Sequence, residues 1–133
     1  MIYLLDTCVV SDFFKKTVSV VAHFENLSPT QIHVSAVTVM EIEYGLKLYT
    51  EREKKIRPVL EALLQQIKII PFCSRCATAA ASIRSKLKHL GLPIGPYDSL
   101  LAGTAIAYNM IMVTSNLKEF YRLTEIEIED WRA

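Results

Sequence analysis

The first residues of the chain describe a short buried strand that ends at a carboxylate. Residues 2–5 are Ile-Tyr-Leu-Leu, and Asp6 and Thr7 follow directly. A run that is apolar on both faces is typical of a central strand in a parallel sheet whose two faces are covered by helices. Ligands of such sheets lie beyond the carboxyl ends of the strands. We therefore expect an α/β fold with Asp6 at the functional edge of its sheet.

Strand patterns alternate with helical patterns along the whole chain. The predicted strands cover residues 2–5, 32–34, 67–72, 111–114 and 125–129. The predicted helices cover residues 8–14, 18–27, 36–46, 52–66, 74–90 and 96–109, with a short turn at 118–120. Pro58 predicts a break or kink in the fourth of these helices. The alternation predicts a single-domain α/β/α sandwich over residues 1–133, with a central, mainly parallel sheet of four or five strands.

The composition points to no particular class of partner. The 133 residues include 15 Lys and Arg against 14 Asp and Glu, a formal net charge of +1, so only a local basic patch could bind nucleic acid. The strand that begins near Met1 leaves no space for a signal peptide, and no apolar run approaches the roughly 20 residues that span a membrane. We expect a soluble, cytoplasmic protein.

Three cysteines, Cys8, Cys73 and Cys76, are predicted to be reduced thiols. The spacing Cys-Ser-Arg-Cys at 73–76 also occurs in metal and redox motifs. A structural zinc site would need two more ligands, yet no second Cys or His pair follows. A thioredoxin-like motif should open the helix after the first strand of its unit, whereas this pair follows a later strand. We therefore interpret Cys73 and Cys76 as small residues at a helix start.

Several oxygen-bearing side chains are predicted to share one edge of the sheet, because they fall at strand ends or helix starts. They are Asp6, Asp98, Asn116 and Glu119. Each also has an ordinary structural explanation, such as the preference for a carboxylate in a first helical turn. Glu41 lies on a largely apolar helix, where it either joins these acids or faces solvent. Oxygen ligands without His or Cys are those preferred by Mg²⁺ or Mn²⁺, which can activate water and neutralise a phosphodiester oxygen.

Four motifs carry a resemblance to a known family. They are Leu-Leu-Asp-Thr at 4–7, Val-Met-Glu-Ile-Glu-Tyr-Gly at 39–45, Pro-Ile-Gly-Pro-Tyr-Asp at 93–98 and Val-Thr-Ser-Asn-Leu-Lys-Glu-Phe at 113–120. In this order and spacing they span nearly the whole chain, which resembles a PIN-domain ribonuclease. More narrowly, it resembles the VapC-type toxins of bacterial toxin–antitoxin pairs. The resemblance implies a PIN-like fold and the hydrolysis of RNA, such as tRNA, which inhibits translation.

The resemblance also implies roles for individual residues. Four acids match the family's catalytic and metal-binding positions: Asp6, Glu41, Asp98 and Glu119. Thr7 and Asn116 match polar residues that line the site. The implied cofactor is Mg²⁺ or Mn²⁺. The implied partners are a second copy of the chain and a VapB-type antitoxin, whose C-terminal segment blocks the site and through which alone operator DNA is bound.

The chain departs from the family at Cys8, where Asn is common. A thiol is a weak hydrogen-bonding group, so a reduced rate of cleavage is an expected consequence. The departure keeps open a second hypothesis, in which the PIN-like fold is a catalytically weak binding module that acts through its antitoxin on operator DNA. The complete acid set favours the ribonuclease.

Binding surfaces are indicated less strongly than the acids. RNA contacts are predicted at the basic residues Lys15, Lys16, Arg84, Lys88 and Lys118, although each equally suits a solvated surface. The segment between Glu41 and Gln66 has more apolar residues than one buried stripe uses. This excess favours either an antitoxin helix or a dimer contact on that surface.

Two other enzyme and signalling classes fit the sequence poorly. A receiver domain needs a phosphoacceptor Asp after its third strand, where Pro-Phe-Cys-Ser stands at 71–74. A phosphatase with an aspartate nucleophile needs a second acid two residues after the first, where this chain has Cys8.

Overall fold

A computed structural model describes residues 1–133 and shows a five-stranded sheet with helices on both faces. The strands are β1 (Tyr3–Leu5), β2 (Ile32–Ser35), β3 (Lys68–Ile70), β4 (Ile111–Val113) and β5 (Ile128–Glu129). The helices are α1 (Thr7–Phe14), α2 (Val18–Asn26), α3 (Ala36–Leu48), α4 (Thr50–Gln66), α5 (Ser74–His89), α6 (Pro96–Tyr108) and α7 (Leu117–Phe120), with a 3₁₀ turn at Pro29–Gln31. The strand order is β3-β2-β1-β4-β5, and every neighbouring pair is parallel. All carboxyl ends of the strands therefore lie at one edge.

β1 occupies the centre of the sheet because both of its faces are apolar. Leu4 and Leu5 are completely buried and, as consecutive residues of a strand, point to opposite faces. Leu5 packs into one core with Val10 of α1, and Leu4 packs into a second core with Leu101 of α6. The predicted α/β fold with a parallel sheet of four or five strands is confirmed.

The second core is covered by α5 and α6, whose backbones approach closely at Gly103. A Cβ built on Gly103 would lie 2.7 Å from the Ala80 nitrogen and 2.7 Å from the Cys76 carbonyl oxygen. Backbone atoms cannot swing aside as the end of a side chain can, so a larger residue would force the helices apart. The close contact fixes the position of α6, whose first turn carries Asp98.

The predicted elements are present, and two strands at the sheet edges are shorter than expected. β3 covers only residues 68–70 of the predicted 67–72, and β5 covers only 128–129 of the predicted 125–129. Ser35 caps α3 as predicted, because its hydroxyl accepts a 3.0 Å hydrogen bond from the Val37 N–H. None of the helices combines the length and the apolar character that crossing a bilayer would need.

The predicted break at Pro58 is wrong, because α4 continues through it, whereas the kink given as the alternative stays a prediction. Leu60 and Leu63 anchor the following turn in the core. On the preceding turn, Arg57 donates hydrogen bonds of 2.8 and 2.6 Å to the Glu43 carboxylate on α3. These contacts on both sides of Pro58 offset the roughly 3 kcal/mol that an interior proline costs a helix.

His33 on β2 makes the fold sensitive to acid. Its side chain is buried, and its Nδ1 atom has no hydrogen-bond partner. Burial lowers the pKa of His33 below its usual value, and the charge of Lys68, its partner on β3, lowers it further. The unfolded chain therefore binds this proton at a higher pH than the folded chain does. As a result, the contribution of neutral His33 to stability is complete above about pH 6.5 and is lost as the pH falls below it.

Replacement of His33 by Leu is expected to flatten the fall in the free energy of unfolding between about pH 7.5 and pH 5. Urea denaturation at several pH values would measure this slope for the wild type and the variant. His89→Gln is the matched control, because it removes an exposed histidine on the last turn of α5 and leaves the buried histidine in place. Equal slopes for His33→Leu and the wild type would contradict the prediction.

Candidate active site

Asp6 follows β1 and is the N-cap residue of α1, so a strand and a helix together fix its position. Its Oδ1 atom accepts a 2.7 Å hydrogen bond from the Thr7 N–H. Its Oδ2 atom accepts a 2.8 Å hydrogen bond from the hydroxyl of Thr114, which ends the neighbouring strand β4. The residue is only 7% exposed. Hydrogen bonds to both of its oxygens therefore fix the Asp6 carboxylate in position. It lies at the carboxyl edge of the sheet, where the sequence places it.

Glu41 on α3 lies beside Thr7, on the side of the helix that faces Asp6. The Thr7 hydroxyl donates a 3.0 Å hydrogen bond to the Glu41 Oε1 atom. Because Thr7 also holds Asp6 through its N–H, one residue couples the two acids. Gly45 lies one turn along α3, and no atom lies within 4 Å of the position that its Cβ would occupy. Gly45 and Glu41 line the same cavity, so open space adjoins both residues.

The first turn of α6 and the short helix α7 bring two further acids together. Asp98 follows the N-cap residue Gly95, and Glu119 accepts a 2.9 Å hydrogen bond from the Gly95 N–H. The second oxygen of Glu119 lies 3.6 Å from the Arg122 guanidinium. A Cβ built on Gly95 would lie 3.5 Å from an Asp98 oxygen and 3.9 Å from a Glu119 oxygen. The two carboxylates converge over a residue that has no side chain.

Burial and the negative charges of neighbouring acids raise the pKa of Asp98 and of Glu41. Burial, followed by the charges of Asp6, Glu119 and Glu41, raises the pKa of Asp98 to about 6. Burial also raises the pKa of Glu41; the hydrogen bond from Thr7 opposes this shift and the charge of Asp6 adds to it. A cation among these side chains would relieve the repulsion and restore the charged forms.

The donor set fits a hydrated divalent cation. No three Asp, Glu, His or Cys side chains approach closely enough to enclose an ion on their own. Mg²⁺ keeps several water ligands and is commonly bound through only one or two carboxylates, whereas structural zinc is enclosed by four protein ligands. An open group of four carboxylates therefore suits the Mg²⁺ or Mn²⁺ that the sequence predicts, with water completing the ligand shell.

The chain is similar to known proteins over nearly its whole length. The chain matches the model of the PIN domain over residues 3–126. It is 31% identical over 129 residues to the tRNA(fMet)-specific endonuclease VapC of Salmonella typhimurium, an alignment that covers 97% of either chain. The chain belongs to the PIN-domain family and, within it, to the VapC ribonucleases.

Other VapC proteins are similar over the same length. Ribonuclease VapC2 of Rickettsia felis is 34% identical over 134 residues, which cover 98% of this chain and 98% of VapC2. The crystal structure of VapBC2 from Rickettsia felis bound to a DNA fragment from its promoter contains a chain with a TM-score of 0.90 and 33% identity. That match covers 98% of this chain and 99% of the other. The PIN-like fold predicted from the motifs is confirmed.

Two residues that hold the acids of this VapC protein were not predicted from the sequence. Thr114 is completely buried, and its hydroxyl donates to Asp6 and accepts a 3.0 Å hydrogen bond from the Asn116 N–H. Gly95 supplies its N–H to Glu119. Thr114 could have been found, because a polar residue that ends an apolar strand of a parallel sheet lies beside whatever ends the neighbouring strand.

Cys8 contributes little to the support of Asp6. Its sulfur lies 3.6 Å from the Asp6 Oδ2 atom and accepts a 3.3 Å hydrogen bond from the Ser115 hydroxyl. The shorter bonds from Thr7 and Thr114 hold the carboxylate instead. The expected reduction in rate from Cys8 stays a prediction.

The remaining polar and basic candidates lie at the surface, with fewer contacts to the site than the acids have. Asn116 is exposed and is engaged through its N–H, so the role of its side chain at the site stays a prediction. Lys15 and Lys16 follow the last turn of α1, about 12 Å of helix away from Asp6. All five basic candidates, Lys15, Lys16, Arg84, Lys88 and Lys118, are exposed, and their contact with RNA stays a prediction.

Proposed function

We propose that this VapC protein is a Mg²⁺- or Mn²⁺-dependent endoribonuclease and the toxin of a VapBC-type pair, acting in the cytoplasm. The observation that carries the proposal is the convergence of four acids at the carboxyl edge of the sheet, where burial and mutual repulsion raise the pKa of Asp98 to about 6. Structured RNA, with tRNA as the first candidate, is the substrate class, because the Salmonella relative is a tRNA(fMet)-specific endonuclease.

In this proposal Asp6 and Asp98 would hold the ion, with Glu41 and Glu119 as the further acids of the site. When bound, the ion would act as a Lewis acid, which neutralises charge on a phosphodiester oxygen and lowers the pKa of water. Thr7 and Thr114 fix the Asp6 carboxylate, so that it does not reorient when substrate binds. Thr7 occupies the Oε1 atom of Glu41, which leaves the Oε2 atom free to accept a proton.

A cavity of about 210 Å³ adjoins Thr7 and Glu41 and provides room for part of a nucleotide. Tyr49 and Arg52, at the junction of α3 and α4, form part of its lining. A phenol ring can stack on a base, and a guanidinium can bind a phosphate. The proposed path of the RNA therefore runs from this cavity toward the acids.

The proposed partners are an antitoxin and a second copy of the chain. The similar structure from Rickettsia felis is a VapBC complex on promoter DNA, which supports an antitoxin partner and operator contact through that antitoxin. Met40, Tyr44 and Leu48 recur at every fourth residue on α3 and are 44%, 62% and 55% exposed. An exposed apolar stripe of this kind is typical of a protein contact, and it suits either partner.

The proposal is tested with purified full-length protein that has been freed of any antitoxin. Incubation with total RNA in the presence of Mn²⁺ is expected to give discrete fragments, and excess EDTA is expected to stop the reaction. Protein carrying Asp98→Asn, purified in parallel, reports any contaminating nuclease. If folded wild-type protein left every RNA species intact in Mn²⁺, the ribonuclease proposal would be rejected.

The second hypothesis, a weak PIN-fold binding module, predicts a different outcome in the same experiment. It predicts no cleavage by the free protein, but operator DNA binding when the protein is mixed with its antitoxin. The departure at Cys8 is the observation that keeps this hypothesis in consideration.

A further inference from the structure

The two thiols at the start of α5 lie in contact. Cys73 is the N-cap residue of α5, and Cys76 lies in its first turn. Both are free thiols, and their sulfur atoms are 3.4 Å apart. Cys73 is partly exposed, whereas Cys76 is completely buried. One sulfur can therefore meet a reagent in solution, while the other is reached only through the first.

The pair lies against α6, at the end of that helix that is remote from the acids. The Tyr108 hydroxyl, on the last turn of α6, donates a 3.8 Å hydrogen bond to the Cys73 sulfur. The Arg75 guanidinium lies over the Tyr108 ring, 5.2 Å from its centre, and donates a hydrogen bond to the Ala107 carbonyl oxygen. Asp98 is ten residues before Tyr108 on the same helix, about 15 Å along its axis. The thiol pair is thus separate from the proposed ribonuclease site.

The surroundings make the two thiols chemically different. The N–H and the thiol of Cys76, with smaller contributions from the Tyr108 hydroxyl and the Arg75 N–H, lower the pKa of Cys73 to about 7 against the opposing effect of burial. Burial raises the pKa of Cys76. At neutral pH a large fraction of Cys73 is thiolate, the form that attacks disulfides, whereas Cys76 stays protonated.

We propose that Cys73 and Cys76 form a redox-active dithiol, in which Cys73 attacks low-molecular-weight disulfides such as oxidised glutathione and Cys76 resolves the resulting mixed disulfide. The sequence alone favours a structural role for the pair, because its position after a later strand is not that of a thioredoxin-like motif. The contact between the sulfurs and the difference in their exposure favour a redox role instead.

The reaction is a two-step exchange. The Cys73 thiolate attacks one sulfur of the disulfide RSSR, a bond forms between them, and the other sulfur leaves as RS⁻. The Cys76 thiol then gives up its proton and attacks the Cys73 sulfur, which forms the Cys73–Cys76 bond and expels the second RS⁻. In total, two cysteine thiols are oxidised, one RSSR is reduced, and two RSH carry the two protons. An excess of RSH reverses both steps.

The test uses the full-length Cys8→Ser variant, in which only the pair can react. The protein is equilibrated with mixtures of reduced and oxidised glutathione, blocked with N-ethylmaleimide and weighed intact by mass spectrometry. Oxidising mixtures are expected to convert it to a form that has lost two hydrogens and takes up no maleimide. With Cys76→Ser added, one glutathione should remain attached at Cys73, and with Cys73→Ser added, no glutathione should attach to the folded protein.

A second measurement follows the alkylation of Cys73 by iodoacetamide as a function of pH. The rate should be half-maximal near pH 7, well below the value of about 8.5 for an ordinary cysteine. Tyr108→Phe keeps the ring beneath Arg75 but removes the hydroxyl donor, so it should move the midpoint upward.

Two results would overturn the proposal. The first is a Cys8→Ser protein that ends with glutathione on Cys73 and no internal disulfide at every ratio of the two glutathiones. The second is a midpoint of alkylation at or above about pH 8.5 in the same variant. Neither result depends on RNA cleavage, so this proposal and the ribonuclease proposal can fail independently.

Discussion

Asp98→Asn is expected to lower the rate of RNA cleavage by a factor on the order of 10²–10³, the loss that follows when one electrostatic contact to the reacting group is removed. Asn has the shape of Asp but no charge, so the variant can still occupy the first turn of α6 while it holds a cation poorly. Asp6→Asn should cause a loss of similar size, because the amide cannot supply two oxygens to Thr7, Thr114 and the ion together. Initial rates on one purified tRNA at fixed Mn²⁺ concentration would measure both effects.

Asp98→Asn is expected to lower activity without lowering stability. This difference distinguishes a role at the site from misfolding of the variant. The pKa of Asp98 is raised from 3.8 to about 6, so its ionised form opposes folding at neutral pH when no cation is bound. Asp98→Asn should therefore melt no lower than the wild type in EDTA. Added Mg²⁺ should raise the melting temperature of the wild type but not that of the variant, because only the wild type binds the ion in its folded state.

Glu61→Gln is the matched control, since Glu61 is an exposed carboxylate on α4 away from the acids. Its rate and its response to Mg²⁺ should equal those of the wild type. An Asp98→Asn protein that cleaves RNA at the wild-type rate, or that loses activity only because it melts at a lower temperature, would contradict the assigned role.

Trp131→Ala is expected to lower the free energy of unfolding by about 3–5 kcal/mol, the usual cost of deleting a buried tryptophan side chain. Although Trp131 is the third residue from the end of the chain, it is only 1% exposed and is the largest fully buried side chain. Its ring stacks on His23 with centres 4.8 Å apart, and it contacts Tyr3 and Phe24 at 5.6 and 5.7 Å. The carboxyl-terminal tail is therefore part of the core beside β1 and α2.

Thermal and urea denaturation would measure this loss, with an expected fall in melting temperature on the order of 10–20 °C for a domain of this size. Tyr121→Ala is the control, because Tyr121 is 68% exposed and its loss should change the free energy of unfolding by no more than about 0.5 kcal/mol. A loss below about 1 kcal/mol for Trp131→Ala would show that the tail is not held as described.

Local sequence patterns predicted most of the fold because each depends on residues close together in the chain. The apolar run before Asp6, the Ser35 cap of α3 and the Pro96 start of α6 all act within a few residues. Pro58 shows the limit of such reasoning, because α4 continues through it while the neighbouring Arg57 is held by Glu43 on a different helix. The burial of Trp131 was not predicted either, since nothing near it in the sequence indicates a core position.

The sequence by itself determined that this is an α/β chain with Asp6 at the carboxyl edge of a parallel sheet, and its four motifs carried the resemblance to the PIN domain. It left open whether Glu41 faces solvent, and it favoured a purely structural role for Cys73 and Cys76. Tertiary structure decided the first through a 3.0 Å hydrogen bond from Thr7 to Glu41, and the 3.4 Å contact between the two sulfurs supports the redox role proposed for the pair. The physical reason is that the end of a strand, and the acid that follows it, can be recognised from residues close together in the sequence. The hydrogen bonds, burial and charge repulsion that set a pKa depend instead on distances between elements, which arise only when the helices pack against the sheet.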